Sequence, residues 1–480
     1  MRFRPLLLVV GVVLLGLSGV MLLPAAVAWY FGEPAVAAFF QAAAIVAAAA
    51  VALVVSSVGS RVLIYPKQTF IITTTVWMSV SLFGALPFIF YSDIGYADAV
   101  FETMSGITTT GATALVGLDT MPRSVLLWRS LLQWGGGLGF AVMAVAILPF
   151  LGVGGMRLFR SESSDWSDKA MPRMQSLALY ITLIYLGLSV VCGLAYFAAG
   201  MSPFDAINHA MTTVATGGYS TYDASLGHFA SAPIDWIAVA FMILGALPFA
   251  LYVKAFQDRG RALVTDQQVR GFLLLILSST LVLAAWLYLR TDMSLASAFR
   301  VVAVNLTSIV TTTGYSSADY SEWGGFAVMM FFYLTFVGGC SGSTAGGFKI
   351  FRLQIAIRVL SNQIRRQVHP HGVFVLEYNH RALGDDVVRS IIGFSFVFFA
   401  TIAALAFALS FFDLDFLTSI SSAATAVTNV GPGLGPIVGP GGNFASLPDG
   451  AKWLLTAGML LGRLEIMTVI VLFTRRFWVS

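Results

Sequence analysis

Four short segments carry residue types suited to cation chemistry. They read TTTGAT (Thr108 to Thr113), ATGGYS (Ala215 to Ser220), TTTGYS (Thr311 to Ser316) and TNVGPG (Thr428 to Gly433), and none contains a charge. A cation leaving water must exchange its hydration shell for other oxygens, and rings of backbone carbonyls supply them in selective pores. Glycine permits the positive φ values that turn successive carbonyls toward one axis, and it lets strands approach closely. Thr before Gly adds a hydroxyl oxygen. Aligned on Gly111, Gly217, Gly314 and Gly431, the segments lie 106, 97 and 117 residues apart. A period of about 100 residues marks an internal repeat. One such turn would carry no weight. Four at matching positions, three with Thr directly before the glycine, point to a filter with one strand per repeat. Its candidate ligands are Thr109, Thr110 and Gly111; Ala215, Thr216 and Gly217; Thr312, Thr313 and Gly314; and Asn429, Val430 and Gly431.

The elements that must position these segments are membrane helices. The chain is 58% hydrophobic and 10% charged, with mean hydropathy +0.85. A soluble domain carries roughly 25% charged residues. Apolar stretches of spanning length fall near 5–30, 36–58, 70–92, 125–150, 175–200, 233–253, 271–289, 325–348, 390–412 and 453–474. Arg2 and Arg4 precede the first, which is long for a signal-peptide core and reads as an uncleaved span. Four shorter stretches, near 96–108, 203–214, 297–311 and 415–427, cannot cross a core of roughly 30 Å as helices. They read as re-entrant half-helices, each leading into one Gly segment. Every unit is then span, half-helix, Gly segment, span. All units start on one side, so the repeats are parallel.

Basic residues agree with this map. The segments predicted to be cytoplasmic hold 21 of the 27 Lys and Arg, including Arg2, Arg61, Arg157, Arg160, Lys169, Arg365, Arg366, Arg475 and Arg476. Both termini are therefore expected in the cytoplasm. Fourteen of the 23 acids, among them Asp93, Asp98, Asp119, Asp205, Asp223, Asp319 and Asp413, fall on the outer side, where they would concentrate cations.

The remaining chemistry is sparse. Cys192 and Cys340 have no metal or redox spacing. The five His are scattered, and no paired-Asp or HExxH motif supports the alternative of an intramembrane lipid or glycosyl transferase. The Gly-rich run Gly338 to Lys349 ends in Lys, but Ile350 follows it and no strand precedes it, so it is not a phosphate-binding loop. Arg463 and Glu465 lie inside the last apolar stretch, where ionisable residues usually face a cavity. Glu102 and Arg129, beside the first Gly segment, read as a structural support for it.

With these motifs, the chain resembles the Trk/Ktr/HKT superfamily of potassium transporters, specifically its TrkH-like membrane subunits, over nearly its whole length. The resemblance implies an all-α polytopic membrane protein. Four parallel membrane–pore helix–membrane repeats surround one pore, with two extra N-terminal transmembrane helices. The bounds are 1–62 for the extra helices and 63–170, 171–262, 263–385 and 386–480 for the repeats. The resemblance also implies potassium uptake across the bacterial inner membrane, with K+ as transported ion and no organic cofactor. Ser at the first filter position marks sodium-preferring members, so Gly111 argues for K+. Unit four departs, with Val430 before Gly431 and Pro432 after it.

Residues 338–349, including Gly338, Gly339, Gly342, Gly346, Gly347 and Lys349, match the family's intramembrane gating loop. Arg463 matches an Arg in the permeation path, where it would be an electrostatic barrier. Partners implied are a second copy of the chain and a TrkA-like cytoplasmic ring binding NAD, ATP or ADP. The lipid bilayer surrounds the protein, and no nucleic acid is expected. The cytoplasmic loops are too short to hold a nucleotide-binding domain of their own. Each filter segment is short, so preference for K+ and Rb+ over Na+ should be real but less stringent than in tetrameric channels. The sequence does not separate channel-like flow from H+ or Na+ coupling.

Overall fold

A computed structural model of the chain describes residues 4–57, 66–92, 94–146, 170–379 and 381–479. Arg2, Arg61, Asp93, Arg157, Arg160 and Lys169 lie outside these residues, as do the ends of the stretches predicted at 36–58 and 125–150. The architecture is helical, as expected where every backbone group in the bilayer must find its partner inside the protein. Two pairs of two-residue strands are the only sheet among the described residues.

Arg4–Phe31 and Val36–Val55 form a hairpin packed on the first repeat. Its turn supplies Glu33, whose carboxylate accepts from the backbone nitrogens of Arg123 (2.9 Å) and Ser124 (3.1 Å). That caps the N-terminus of Arg123–Ala146, where two otherwise orphan donors need an acceptor.

The four half-helices appear where predicted: Tyr96–Ile107, Pro203–Val214, Leu295–Val310 and Phe416–Thr428, of 12, 12, 16 and 13 residues. At 1.5 Å per residue they span roughly 18–24 Å, short of a bilayer core. Three are capped by side chains at their N-terminal ends, from Ser202, Ser294 and Asp415. All four are buried on nearly every face towards their C-terminal ends, because the spans enclose them.

Six described helices are long and apolar enough to cross a membrane, or eight if two bent pairs each count as one span. Those bends correct two predicted continuous spans. The stretch 233–253 breaks between Ala232–Ala246 and Phe249–Ala255, with a 92° bend. Pro248 lacks an N–H and forces Leu247 out of the helical region, to φ −84° and ψ 155°. The stretch 453–474 breaks between Asp449–Arg463 and Met467–Phe473, with a 104° bend. There Glu465 takes φ +57°. The predicted span 325–348 is helical only over Gly325–Thr335. The Gly-rich run after it folds back inside the protein, and Ile350–Val368 continues as a separate helix.

Candidate functional site

Each half-helix ends in the same backbone motif. The nitrogens of Thr110, Gly217, Thr313 and Val430 donate to the carbonyls of Ser105, Thr212, Ser308 and Thr425, five residues back, at 2.8, 2.9, 2.8 and 3.1 Å. Between donor and acceptor sits a left-handed residue: Thr109 (φ 53°), Thr216 (51°), Thr312 (58°) and Asn429 (55°). This is the Schellman arrangement, which usually places Gly at the left-handed position. Three β-branched Thr there are genuine outliers, costing of order 1–3 kcal/mol each, and such strain persists only where the surroundings impose it. The helix C-termini, with their partial negative charge, point at the segments they feed.

Two residues after each left-handed Thr or Asn, the chain turns left-handed again. The residues are Gly111 (φ 85°), Gly218 (77°), Gly314 (86°) and Gly431 (107°). Here the sequence alignment needs correction. It paired Gly217 with the other three glycines, but Gly218 has their conformation and their neighbours. A methyl group on Gly111 would overlap the Gly217 carbonyl oxygen. One on Gly218 would overlap the Thr313 carbonyl, one on Gly314 the Val430 carbonyl, and one on Gly431 would crowd the Thr110 carbonyl. The four contacts close a ring, repeat one to two to three to four and back to one. In that ring Ala215, Thr216 and Gly217 stand level with Thr108, Thr109 and Thr110. The ring leaves no room for Cβ atoms, which is why all four positions are glycine. A legible signal for the register existed: Tyr-Ser follows Gly218 and Gly314 alike.

Gly111, Gly218, Gly314 and Gly431 together line the floor of an open vestibule. Asp223 stands on its wall. Its carboxylate accepts from the Leu118 nitrogen, and its own nitrogen donates to Asp119 Oδ2 at 3.2 Å. Burial, together with the neighbouring Asp119 carboxylate, holds the Asp223 carboxyl above its ordinary range.

Behind the first two segments lies the pair predicted from sequence. Arg129 Nε donates to Glu102 at 2.8 Å, both side chains being buried. Arg129 Nη1 donates to the Ser220 carbonyl (2.9 Å), and its guanidinium lies over the Tyr219 ring. Gln133, not singled out individually by the sequence reading, brackets Gly217 and Gly218. Its Nε2 donates to the Gly217 carbonyl (2.7 Å), and its Oε1 accepts from the Tyr219 nitrogen (3.0 Å). Gly136, from the Gly-rich stretch of the same helix, packs against the Ile107 carbonyl at the end of half-helix one.

On the side of the ring opposite the vestibule lies the loop. Val337–Gly338 pairs in parallel with Phe348–Lys349 and pinches its base. The broken span holds it in place: the Cys340 and Thr344 nitrogens donate to the carbonyls of Ala246 and Gly245, and the Phe249 nitrogen donates to the Gly342 carbonyl. Break and loop satisfy each other's backbone groups, which lipid could not do. Toward the ring, the Gly346 nitrogen donates to Thr312 Oγ1 at 2.7 Å, and Thr344 Oγ1 lies 3.1 Å from Thr216 Oγ1. Gly346 also abuts the Thr428 carbonyl. The loop therefore touches the strained residues of repeats two and three and borders Asn429 of repeat four.

Arg463 reaches the loop from the last span, its Nη1 donating to the Thr344 carbonyl at 2.8 Å. Glu465 does not neutralise it. That carboxylate pairs with Arg352 at 2.7 Å. Lys349 donates to the Ala345 carbonyl within the loop. Phe140, one apolar residue among many in its helix and so unmarked in the sequence, lies beneath both: the Arg463 and Lys349 cations stand over its ring.

A family model described as a cation transport protein, TrkH, matches residues 35–478. The Trk system potassium uptake protein TrkI of Halomonas elongata is 50% identical, over 99% of this chain and 97% of its own. The Trk system potassium uptake protein TrkH of Escherichia coli K12 is 36% identical over the full length of both chains. The crystal structure of the potassium transporter TrkH from Vibrio parahaemolyticus superposes with TM-score 0.91 at 34% identity, covering both chains completely. The ring of four glycines thus sits in a chain that belongs to the TrkH family of cation transport proteins.

Proposed function

We propose that this chain takes up potassium ions across the bacterial inner membrane, and that the ring at Gly111, Gly218, Gly314 and Gly431 is its selectivity filter. The observation that carries the reading is the closed ring itself. Four uncharged strands have left-handed residues at alternate positions, each locked against the next by a glycine. Alternating handedness re-aims successive carbonyls. One carbonyl per strand, as at Gly217, lies against its neighbour, leaving those of Thr109, Thr216, Thr312, Asn429 and the four glycines as ligands for a dehydrated cation.

The relatives' names support K+ as the ion and uptake as the direction. The loop 338–349 acts as the gate. Its contacts with Thr312 and Thr216 and its position under the ring support this. Arg463 and Lys349 add positive charge to the pathway there, as a barrier to cations. Glu102 and Arg129 hold the filter strands of repeats one and two in register. The chain works as a homodimer with both termini cytoplasmic, and a TrkA-like nucleotide-binding ring acts on the loop from that side. The name "Trk system" and the basic inner segments support such a partner.

The test is flux of Rb+ and Na+ into liposomes holding the purified chain, with and without an imposed proton gradient. Rb+ should exceed Na+, and Gly111→Ser, which forces a side chain against the Gly217 carbonyl, should erase the difference. Equal fluxes of Rb+ and Na+ in the unaltered protein would refute a potassium filter.

A further inference from the structure

We propose that Phe140 is a positioning residue of the gate, its ring holding Arg463 and Lys349 together across the pathway. Lys349, Arg352 and Arg463 are cationic, and none is more than 2% exposed. The one carboxylate among them, Glu465, is committed to Arg352. Among the described residues no acid lies within ion-pairing distance of Arg463 or Lys349. Arg463 also leaves Nε and Nη2 without a hydrogen bond to the protein. Arg463 has no anion beside it, and Lys349 has only the more distant Glu465 carboxylate already paired with Arg352, so these buried cations need another source of attraction.

Phe140 provides one. The Arg463 guanidinium carbon lies 4.0 Å, and the Lys349 ammonium 5.3 Å, from the ring centroid. Both distances fall within the range of about 6 Å over which a ring face attracts a cation. The ring is itself buried, in a core that includes Phe348 and Phe351. It belongs to the second span of repeat one, while Lys349 ends the loop of repeat three and Arg463 lies in repeat four. One side chain therefore joins three repeats beneath the ring of glycines.

The choice of a ring over a carboxylate has a consequence. A carboxylate would cancel the positive charge and offer K+ a binding site. A neutral aromatic face steadies both cations and leaves their charge in the pathway, so the barrier is held without being neutralised. The inference rests on the reading of the loop as gate and Arg463 as barrier.

The experiment is basal Rb+ flux in liposomes for Arg463→Gln, Phe140→Leu, Phe140→Tyr and the double variant Arg463→Gln/Phe140→Leu. Phe140→Leu keeps most of the volume and removes the aromatic face. It should raise flux about thirtyfold, the weight of a desolvated cation–ring contact. Phe140→Tyr, which retains the face, should bring flux back down. The double variant should leak less than the product of the two single effects, because in the Arg463→Gln background only Lys349 is left for the ring to hold. If Arg463→Gln raises flux and Phe140→Leu does not, the clamp is wrong and the barrier survives. If neither raises it, the barrier falls and the clamp with it. If Phe140→Tyr leaks as much as Phe140→Leu, or if the two effects multiply, the ring acts by packing alone and the proposal is overturned. Should Phe140→Leu fail to assemble, Phe140→Met takes its place with the same outcomes.

Discussion

Glu102→Ala should cost more than any single change elsewhere behind the filter. The Glu102 carboxylate accepts from Arg129 Nε (2.8 Å), from the Ala114 nitrogen (2.9 Å) and from Thr113 Oγ1 (3.0 Å). Arg129 is 1% exposed and also donates to the Ser220 carbonyl, two residues past Gly218. Deleting the carboxylate strands a buried guanidinium. Breaking a buried pair from one side costs about 3–5 kcal/mol, because an uncompensated charge stays behind. Removing both charges in Glu102→Gln/Arg129→Met should cost less than Glu102→Ala, since no charge is then stranded. Cys192 and Cys340 are both free and buried. Labelling by a thiol-reactive dye on heating in detergent therefore reads unfolding directly. Selectivity should fall alongside stability, since the pair ties the segment of repeat one to that of repeat two. The reasoning is refuted if Glu102→Ala unfolds within about 0.5 kcal/mol of the parent, the range of an ordinary surface change, or if the double variant is the least stable of the set.

Four further outcomes are expected. Gly218→Ala places a methyl on the Thr313 carbonyl at φ +77°, and should abolish Rb+ selectivity. Gly217→Ala meets the Gln133 amide rather than a backbone carbonyl, at a φ that is not left-handed, and should be milder in the same flux assay. Thr344→Val removes the hydroxyl that reaches the carbonyls of Val214 (3.1 Å) and Gly245 (2.9 Å). The single hydroxyl proton is shared between these two carbonyls, so its loss, roughly 1 kcal/mol in all, should loosen the loop and raise basal flux several-fold. The Asp223 carboxyl is raised, so it gains its proton at a higher pH than an ordinary carboxylate as the outer medium is acidified. Its charge is present above that raised value and lost below it. Rb+ uptake at low ionic strength should fall through that window in the unaltered chain, and Asp223→Asn should flatten that part of the pH profile.

Much was legible in the sequence because the bilayer leaves few options. Spans must be long and apolar, and irregular backbone at depth must line a cavity or be buried in protein. The four half-helices therefore came out within two residues of their structural bounds. The Glu102–Arg129 pair was legible for a related reason: charges so close to a membrane core must find each other. The register of repeat two was not legible from glycine alone. Gly217 and Gly218 are chemically identical in a string of letters, and only the φ angle and the neighbouring Thr313 carbonyl distinguish them. The breaks at Leu247 and Glu465 were hidden by apolarity, since a bent span is as hydrophobic as a straight one. What fills the gap left by the first break is the loop of another repeat, nearly 100 residues later, and no local pattern reports such a contact. Phe140 shows the same limit most clearly. As a residue it is one Phe in an apolar helix. Its place beneath two cations is decided by three repeats meeting at one axis, and only the tertiary structure holds that information.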